Sequence, residues 1–327
     1  MHDVTTRRDA LRWLAVGATA LVAPFAFAAY PDKPIRLVVG YPPGGANDIV
    51  ARHVAARLGE TLGAQVVVDN RPGANGIIAC EQVAKATPDG YTLLWGGLTT
   101  LVLNPLTYPK LPYDTLNDFT PISTVSSGPV VVSVRPELGV SDMKELFALA
   151  KSKPATINFA TVGTGGSTRI FFELMKATGN VDVRYVPYKG AAPSLVALLS
   201  GEVQISFLVP PVVQSQIRNG KARTLAVSSL KRSTALPDIP TLHEAGVKDF
   251  EALQWHGFFV PARTPPAIVT RMHVEVVKAL AASEMKERLA TEGAEIVGST
   301  PMDFAAFFRS EVKKWSEVVQ RSGTKFE

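Results

Sequence analysis

Short apolar runs alternate with amphipathic stretches through the first two thirds of this 327-residue chain. Residues 35–39 (Ile-Arg-Leu-Val-Val) are the first such run. Residues 48–58 follow, with Ile49, Val50, Val54 and Leu58 repeating along one helical side. Residues 65–68 then read as a buried strand, a turn over 71–76 opens a helix that runs to about residue 86, and Pro88-Asp89-Gly90 turns into a third strand at 92–95. Further strands are predicted at 130–134, 157–160, 183–186, 203–207 and 224–228. Helices at 141–151 (with Ser141 as N-cap), 168–177 and 193–199 fall between them. Continuous apolar strands separated by helices are what a parallel sheet covered on both faces requires. The last third changes character. Two long helical patterns, at 266–282 and 301–321, dominate it. The second has Thr300 placed as a cap and Pro301 at its first position, and Gly323 follows as a stop signal. Phe304, Phe308, Val312, Trp315 and Val319 lie on one of its stripes and read as core packing.

No Gly/Ser-rich linker divides the chain, and no long repeat is found. The predicted fold class is α/β with two lobes, each a sheet flanked by helices, joined by strands that cross near 125–132 and 224–228. Residues 29–128 and 229–327 would form the first lobe and residues 129–228 the second. A ligand would then sit between the lobes, at the carboxyl ends of the strands.

Residues 1–28 stand outside this fold. Arg7 and Arg8 precede an uncharged, alanine-rich run over 13–29 containing Ala26-Phe27-Ala28, a small-x-small cleavage pattern. Interrupted by Gly17 and Pro24, the run falls short of the about 20 apolar residues that a spanning helix needs. The reading is an export signal cleaved near Ala28, leading to the periplasm; a retained anchor is the alternative. Thr6-Arg7-Arg8-Asp9-Ala10-Leu11-Arg12 resembles a twin-arginine signal, with Ala10 where Phe is usual, so the general secretory route stays open. Cleavage removes three Arg and two Asp and lowers the formal charge from +5 to +4. That mild excess admits an anionic ligand, but no Lys/Arg cluster is interleaved with aromatics, so nucleic acid is not an expected partner. Cys80 is the only cysteine, which rules out an intramolecular disulfide, and its apolar helical setting points to packing. A monomer is expected.

Candidate chemistry lies in the loops. Tyr41-Pro42-Pro43-Gly44-Gly45-Ala46-Asn47-Asp48 joins the first strand to a helix. Glycine lets the backbone approach a ligand closely, proline stiffens the loop, and a helix N-terminus offers unpaired N–H groups with partial positive charge. Residues 160–168 repeat the arrangement with Gly163, Thr164, Gly165, Gly166, Ser167 and Thr168. A third junction, Tyr188-Lys189-Gly190-Ala191-Ala192, adds an amine. Each has a plainer reading. Glycines are common turn residues, Asp48 complements a helix dipole, Ser167 and Thr168 serve as N-caps, and Lys189 is a solvated lysine. Two cradles in equivalent positions favour one bound anion held between them. Helix N-termini contribute about 0.3–1 kcal/mol each to an exposed anion and up to roughly 2 when partly buried.

Enzyme signatures fail. Thr168 stands where a dinucleotide fingerprint needs its third glycine, and there is no phosphate-binding G-x-x-x-x-G-K-S/T run and no G-x-S-x-G elbow. His53, His243, His256 and His273 show no metal-ligand spacing. His256, between Trp255 and Gly257, reads as structural. No catalytic residue, metal or cofactor is expected.

The ordered series Tyr41–Asp48 with Ala51-Arg52, Val68-Asp69-Asn70-Arg71-Pro72-Gly73-Ala74, Pro88-Asp89-Gly90-Tyr91-Thr92-Leu93-Leu94 and Leu111-Pro112-Tyr113-Asp114 resembles the Bug receptor family. These are the TctC-like solute receptors of tripartite tricarboxylate transporters. Asp118-Phe119-Thr120-Pro121-Ile122, Val186-Pro187-Tyr188-Lys189-Gly190-Ala191-Ala192-Pro193, Leu225-Ala226-Val227-Ser228 and Leu236-Pro237-Asp238-Ile239-Pro240-Thr241 continue the match along the chain. The resemblance implies a two-lobed periplasmic binding protein of type II-like fold that closes on a small organic carboxylate and delivers it to transporter membrane subunits. It implies ligand contacts at Gly44, Gly45 and Ala46 and, on the other lobe, at Thr164, Gly165, Gly166, Ser167 and Thr168, with Thr99 in the wall after the third strand. Tyr41, Asp48, Arg169 and Lys189 join the candidate ligand-binding set from the loops themselves. Two departures matter. Thr168-Arg169 stands where the family often has Ser-His, and no acidic residue ends the strand that runs from 205 into Leu208-Val209-Pro210. Lacking that acid, the chain is expected to take a di-, tri- or aromatic carboxylate rather than an amino acid, with Arg169 either on the ligand or facing outward. A sensor that docks a membrane kinase, or an exported α/β enzyme, is the alternative function.

Overall fold

A computed structural model describes residues 30–162, 166–233 and 236–322. The export signal expected at 1–28 lies outside the described residues. The strands among them are, in chain order, β1 (Ile35–Val39), β2 (Val66–Asn70), β3 (Thr92–Gly97), β4 (Phe119–Pro129), β5 (Val131–Val134), β6 (Asn158–Val162), β7 (Arg184–Tyr188), β8 (Ile205–Leu208), β9 (Arg223–Val227), β10 (Leu253–Pro261) and β11 (Glu295–Ile296).

They form two sheets flanked by helices, ordered β11-β4-β10-β3-β1-β2 and β7-β6-β8-β5-β9. The two share one plan. Each has a parallel trio (β2-β1-β3, β7-β6-β8) followed by an antiparallel strand that enters from the other half of the chain, β10 in the first and β5 in the second. A further strand, β4 or β9, closes the plan beyond it. The fold is thus α/β, with β1 and β6 in equivalent central positions.

The chain passes between sheets where β4 runs into β5 and where β9 returns toward β10. Ser228 ties these passages together. Its N–H donates to the Val130 carbonyl (2.9 Å) and its carbonyl accepts from Ala252 N–H (2.9 Å). Its Oγ accepts from Val130 N–H (2.9 Å) and donates to the Ala252 carbonyl. A buried hydroxyl bonded in both directions replaces the water it gave up and pins two backbones at one point.

The C-terminal helix Pro301–Ser322 packs on the first sheet as its apolar stripe predicts: Phe304, Phe308 and Trp315 are buried. Glu311, also buried, accepts from the indoles of Trp255 (3.0 Å) and Trp315 (3.1 Å). Trp315 stacks on Phe171 at 5.3 Å, so this helix also touches the second half.

Several local expectations need correction. Residues 65–68 do not form a fully buried strand: β2 is an edge strand, and Val67 is 43% exposed. Asp142, not Ser141, caps the Met143–Ser152 helix by accepting from Glu145 N–H at 2.8 Å. Strand β10 is not predicted because its polar positions Gln254 and His256 and the strand-weakening Gly257 break its apolar run. A Cβ there would sit 2.5 Å from the Phe304 ring and 2.6 Å from the Ser123 carbonyl.

Replacing Ser228 with Ala removes the hydroxyl and orphans Val130 N–H. The expected loss is about 1–3 kcal/mol, read as a lower urea midpoint with an unchanged m-value.

Candidate ligand-binding cleft

Because β1 and β6 each sit inside a parallel trio, their carboxyl ends open at the middle of a sheet edge. Each leads through a glycine loop into a helix, Ala46–Leu62 after β1 and Ser167–Gly179 after β6. The residue before each helix is a glycine in the same extended conformation: Gly45 at φ −79, ψ 161 and Gly166 at φ −79, ψ 173. No side chain caps either helix, so their first N–H groups lack the usual hydroxyl or carboxylate acceptor. Thr164 and Gly165 lie outside the described residues.

Asp48 organises the first loop. Its carboxylate is 1% exposed and accepts from Gly44 N–H (2.8 Å), Arg52 Nε (2.9 Å) and Asn70 Nδ2 (2.7 Å). Asn70 Nδ2 also donates to the Tyr41 carbonyl (3.1 Å), and Arg52 Nη2 donates to Asn70 Oδ1 (2.7 Å). Gly44 reaches this brace at φ +80, a conformation that L side chains rarely adopt. Burial would raise the Asp48 pKa, but the donors from Arg52, Asn70 and Gly44 outweigh it and hold the carboxyl below its ordinary range. Asp48 and Gly44 N–H therefore spend their polar groups on each other. The free donors of this junction come from Gly45 onward.

The second junction is wired differently. Ser167 and Thr168, expected as N-caps, are not caps. Thr168 Oγ1 accepts from Val162 N–H (2.7 Å), back onto its own strand, and Ser167 Oγ accepts from Gln254 Nε2 of β10. Each hydroxyl thus uses acceptor capacity on a protein donor and retains an O–H to give. Gly166 is required by its backbone, since a Cβ would lie 2.5 Å from the Val162 carbonyl oxygen.

Tyr41, Thr99 and His256 meet on the first-sheet side. The Tyr41 phenol lies beside the Thr99 hydroxyl, and its ring stands 6.0 Å from His256 at 78°. The imidazole lies flat on Trp95, 5.4 Å away at 5°. Gly97 pairs with His256 across β3 and β10, and a Cβ on it would come within 2.5 Å of the Trp255 carbonyl. Both rings keep partial exposure, yet enough protein surrounds them that burial raises the Tyr41 phenol and pushes the His256 imidazole down to about 4. Wall residues of a concavity behave this way.

Arg169 does not face outward: its guanidinium pairs with Glu173 at 2.6 Å and lies 3.3 Å from the centroid of the Tyr185 ring, with 9% of the residue exposed, while its buried Nε has no hydrogen-bond partner. Lys189 is exposed just past the end of β7, whose last residue pairs with Val162. Sequence reasoning missed Gln254 and gave His256 only a structural part. The signal was available, because positions 254 and 256 share a strand face opposite Trp255 and Gly257. Among the described residues no three His, Cys, Asp or Glu groups converge as metal ligands, and no helix is long and apolar enough to cross a membrane.

Two equivalent glycine junctions set on two topologically matched sheets define a class, the two-sheet α/β solute-binding proteins. Comparison places the chain within it. Residues 50–324 match the tripartite tricarboxylate transporter family receptor (TctC) model, and the chain belongs to that family of periplasmic solute-binding receptors. It is similar to the protein BugT of Bordetella pertussis, 34% identical over 98% of both chains. The structure of R. palustris Rpa4515 with adipate is 34% identical, with a TM-score of 0.80 over 90% of this chain and 98% of that one. MatC from Rhodopseudomonas palustris with bound malate is 32% identical, with a TM-score of 0.78 over 89% of this chain and 100% of that one.

Asp48→Asn keeps the size of the side chain but removes the charge that pairs with Arg52. It should lower the melting temperature and weaken ligand binding together, with a cost of about 1–3 kcal/mol to stability, measured by thermal denaturation and calorimetry. His256 supplies a pH test. Its pKa is lower folded (about 4) than in an unfolded chain (6.5), so its contribution is complete above pH 6.5 and is lost as pH falls from 6.5 toward 4. His273 is shifted the same way by burial. His256→Phe should flatten the fall in melting temperature across that window, by an amount equivalent to roughly 2–3 kcal/mol at its acid end.

Proposed function

We propose that the chain binds a small organic carboxylate between its two halves and presents it to the membrane subunits of a tripartite transporter. The observation that carries this is the matched pair of uncapped helix N-termini, one after the central strand of each sheet, each starting at a glycine in the same extended conformation. Backbone N–H groups from Gly45 and Ala46 on one side, and the hydroxyls and N–H groups of Gly166, Ser167 and Thr168 on the other, present donors to one anion. Gly44 and Asp48 hold the loop rather than touch the ligand. Tyr41 and Thr99 form the wall. Residues 29–128 with 229–327 and residues 129–228 act as the two closing lobes, hinged at Ser228. Adipate and malate in the relatives Rpa4515 and MatC support a carboxylate. The receptor reading also fits a protein exported by a cleaved signal at 1–28 and acting as a monomer in the periplasm. It leaves no part for a catalytic group.

At micromolar affinity, about 8 kcal/mol, such donors suffice without catalysis. Gly45→Val is the direct test, because a Cβ there meets only the Pro42 carbonyl at 3.7 Å and leaves the fold intact. The variant should melt like the parent and lose at least tenfold in carboxylate affinity. Unaltered binding would show that the junction does not hold the anion. Conversion of any bound acid to a new product would end the receptor reading. Gly166→Val is no substitute, since its Cβ collides with its own loop.

A further inference from the structure

Beside the strand crossings the two halves also touch through residues that have little or no side chain to move. Gly293 follows the helix Ser283–Thr291 and leads into β11, at the edge of the first sheet. Its peptide lies against Gly128 of β4, where a Cβ would come 2.2 Å from the Gly293 carbonyl oxygen. A glycine inside a strand marks such a close approach of another backbone. A Cβ on Gly293 itself would sit 2.7 Å from Pro211 Cδ, 3.3 Å from Pro211 Cγ and 3.4 Å from Val209 Cβ. Val209 and Pro211 belong to the other half. They follow the carboxyl end of β8, and Pro211 stands in the first turn of the helix Pro210–Arg218.

Whether those neighbours can yield decides what the contact does. A Cβ on Gly73 would also come within 2.7 Å of an atom, but that atom is Ile78 Cδ1, the far end of a side chain with free torsions. Pro211 Cδ is closed in a ring onto its own backbone, and Val209 Cβ is fixed to its main chain. Neither can rotate aside, so bulk added at position 293 must move one half against the other. Gly128 is two residues from Val130, which Ser228 ties into the crossings. The carboxyl end of β1 lies three strands away from β4, roughly 14 Å at ordinary strand spacing. A small rotation forced beside β4 is therefore magnified at the first glycine junction.

Resting on the receptor reading above, we infer that Gly128, Gly293 and Pro211 form the stop that sets how closely the two halves approach around a ligand, with Gly293 a positioning residue for binding. Gly293 touches no ligand. Its missing side chain lets the halves come together until the Pro211 ring bears on the main chain at 293. The stiffness of that ring makes the arrangement a defined one, which lowers what binding must spend on ordering the halves. The run Leu208-Val209-Pro210-Pro211, which carries no acid at the end of β8, thereby has a mechanical part.

A matched pair of variants separates the stop from backbone strain. Gly293 and Gly298 stand on either side of β11, both with left-handed backbone, at φ +75 and +65. A Cβ on Gly298 meets only Leu280 Cδ1, at 3.9 Å. Gly293→Ala and Gly298→Ala should both lower the melting temperature. Only Gly293→Ala should weaken adipate and malate binding in calorimetric titration, by roughly fivefold or more, the size of an ordinary coupling between touching residues. Spin labels on Val196→Cys and Met302→Cys, exposed positions in the two halves, report the arrangement by electron–electron double resonance, with buried Cys80 left in place. Recorded with and without adipate, the distance peak should be displaced in Gly293→Ala and unchanged in Gly298→Ala. It should return in Gly293→Ala/Pro211→Ala, where the ring that the new methyl meets is gone. Pro211→Ala alone opens space without straining position 293 and should displace the peak the opposite way, which keeps the test in force if Gly293→Ala does not fold. A peak that stays in place in Gly293→Ala or Pro211→Ala, or that moves equally in Gly298→Ala, overturns the inference and leaves the receptor reading standing. If neither acid binds the parent, the carboxylate reading falls, and the distances in the unliganded variants still decide the stop.

Discussion

A helix that begins at a glycine, with no side chain to cap it, leaves its first N–H groups unanswered by the protein. Two such helix starts, at Ala46 and Ser167, are the constraint around which this structure is arranged. Both follow the central strand of a parallel trio, because only there does the strand end deliver the chain to the middle of a sheet edge. Their positive ends gain value as water is excluded, and closing two halves on a ligand excludes it. The strand crossings at Val130, Ser228 and Ala252 therefore belong to the same design as the loops. They fix by hydrogen bonds the point at which the chain passes between the two sheets.

Much of this was legible in the chain. Strands buried on both faces write themselves as short apolar runs whether they pair parallel (β1, β3, β6, β8) or antiparallel (β5, β9), and the stripe from Phe304 to Trp315 announced a core helix. The two glycine junctions were legible for the same reason: turn chemistry is local. What escaped was non-local. Strand β10 is defined by its neighbours β3 and β4 and by Phe304 filling the space above Gly257, none of which is near it in sequence. Without that strand, the reach of Gln254 to Ser167 and the stacking of His256 on Trp95 are not legible. Arg169 shows the converse limit. Its position beside a predicted ligand loop said nothing about direction, and Glu173 one turn later with Tyr185 on β7 turned it away.

Asp48 deserves comparison with Arg169, because both are charged residues at the start of a helix that faces the cleft. Asp48 would repel an anion if its charge were unmatched. Arg52 one turn on neutralises it, and Asn70 and Gly44 take the remaining lone pairs. Its charge is converted into loop rigidity. The cost of fixing the Tyr41–Gly45 segment is met in the folded protein and not again at binding, which is what preorganisation means for a site built from backbone N–H groups.

The second junction is braced within its own half by the Val162–Thr168 bond, and the first sheet adds a contact. Gln254 donates to Ser167 from β10, the strand that enters the first sheet from the crossing at Ala252. That bond takes one lone pair of the Ser167 hydroxyl and leaves its O–H to donate, and it is made from the first sheet to the helix of the second. Phe171 on Trp315 adds an apolar contact along the same helix. The Ser167 hydroxyl thus keeps its O–H for a further acceptor, through a contact made from the first sheet. Under the proposed receptor reading, whatever favours the Gln254–Ser167 contact also favours the donor geometry of the second junction, which would couple ligand affinity to the placement of the two halves.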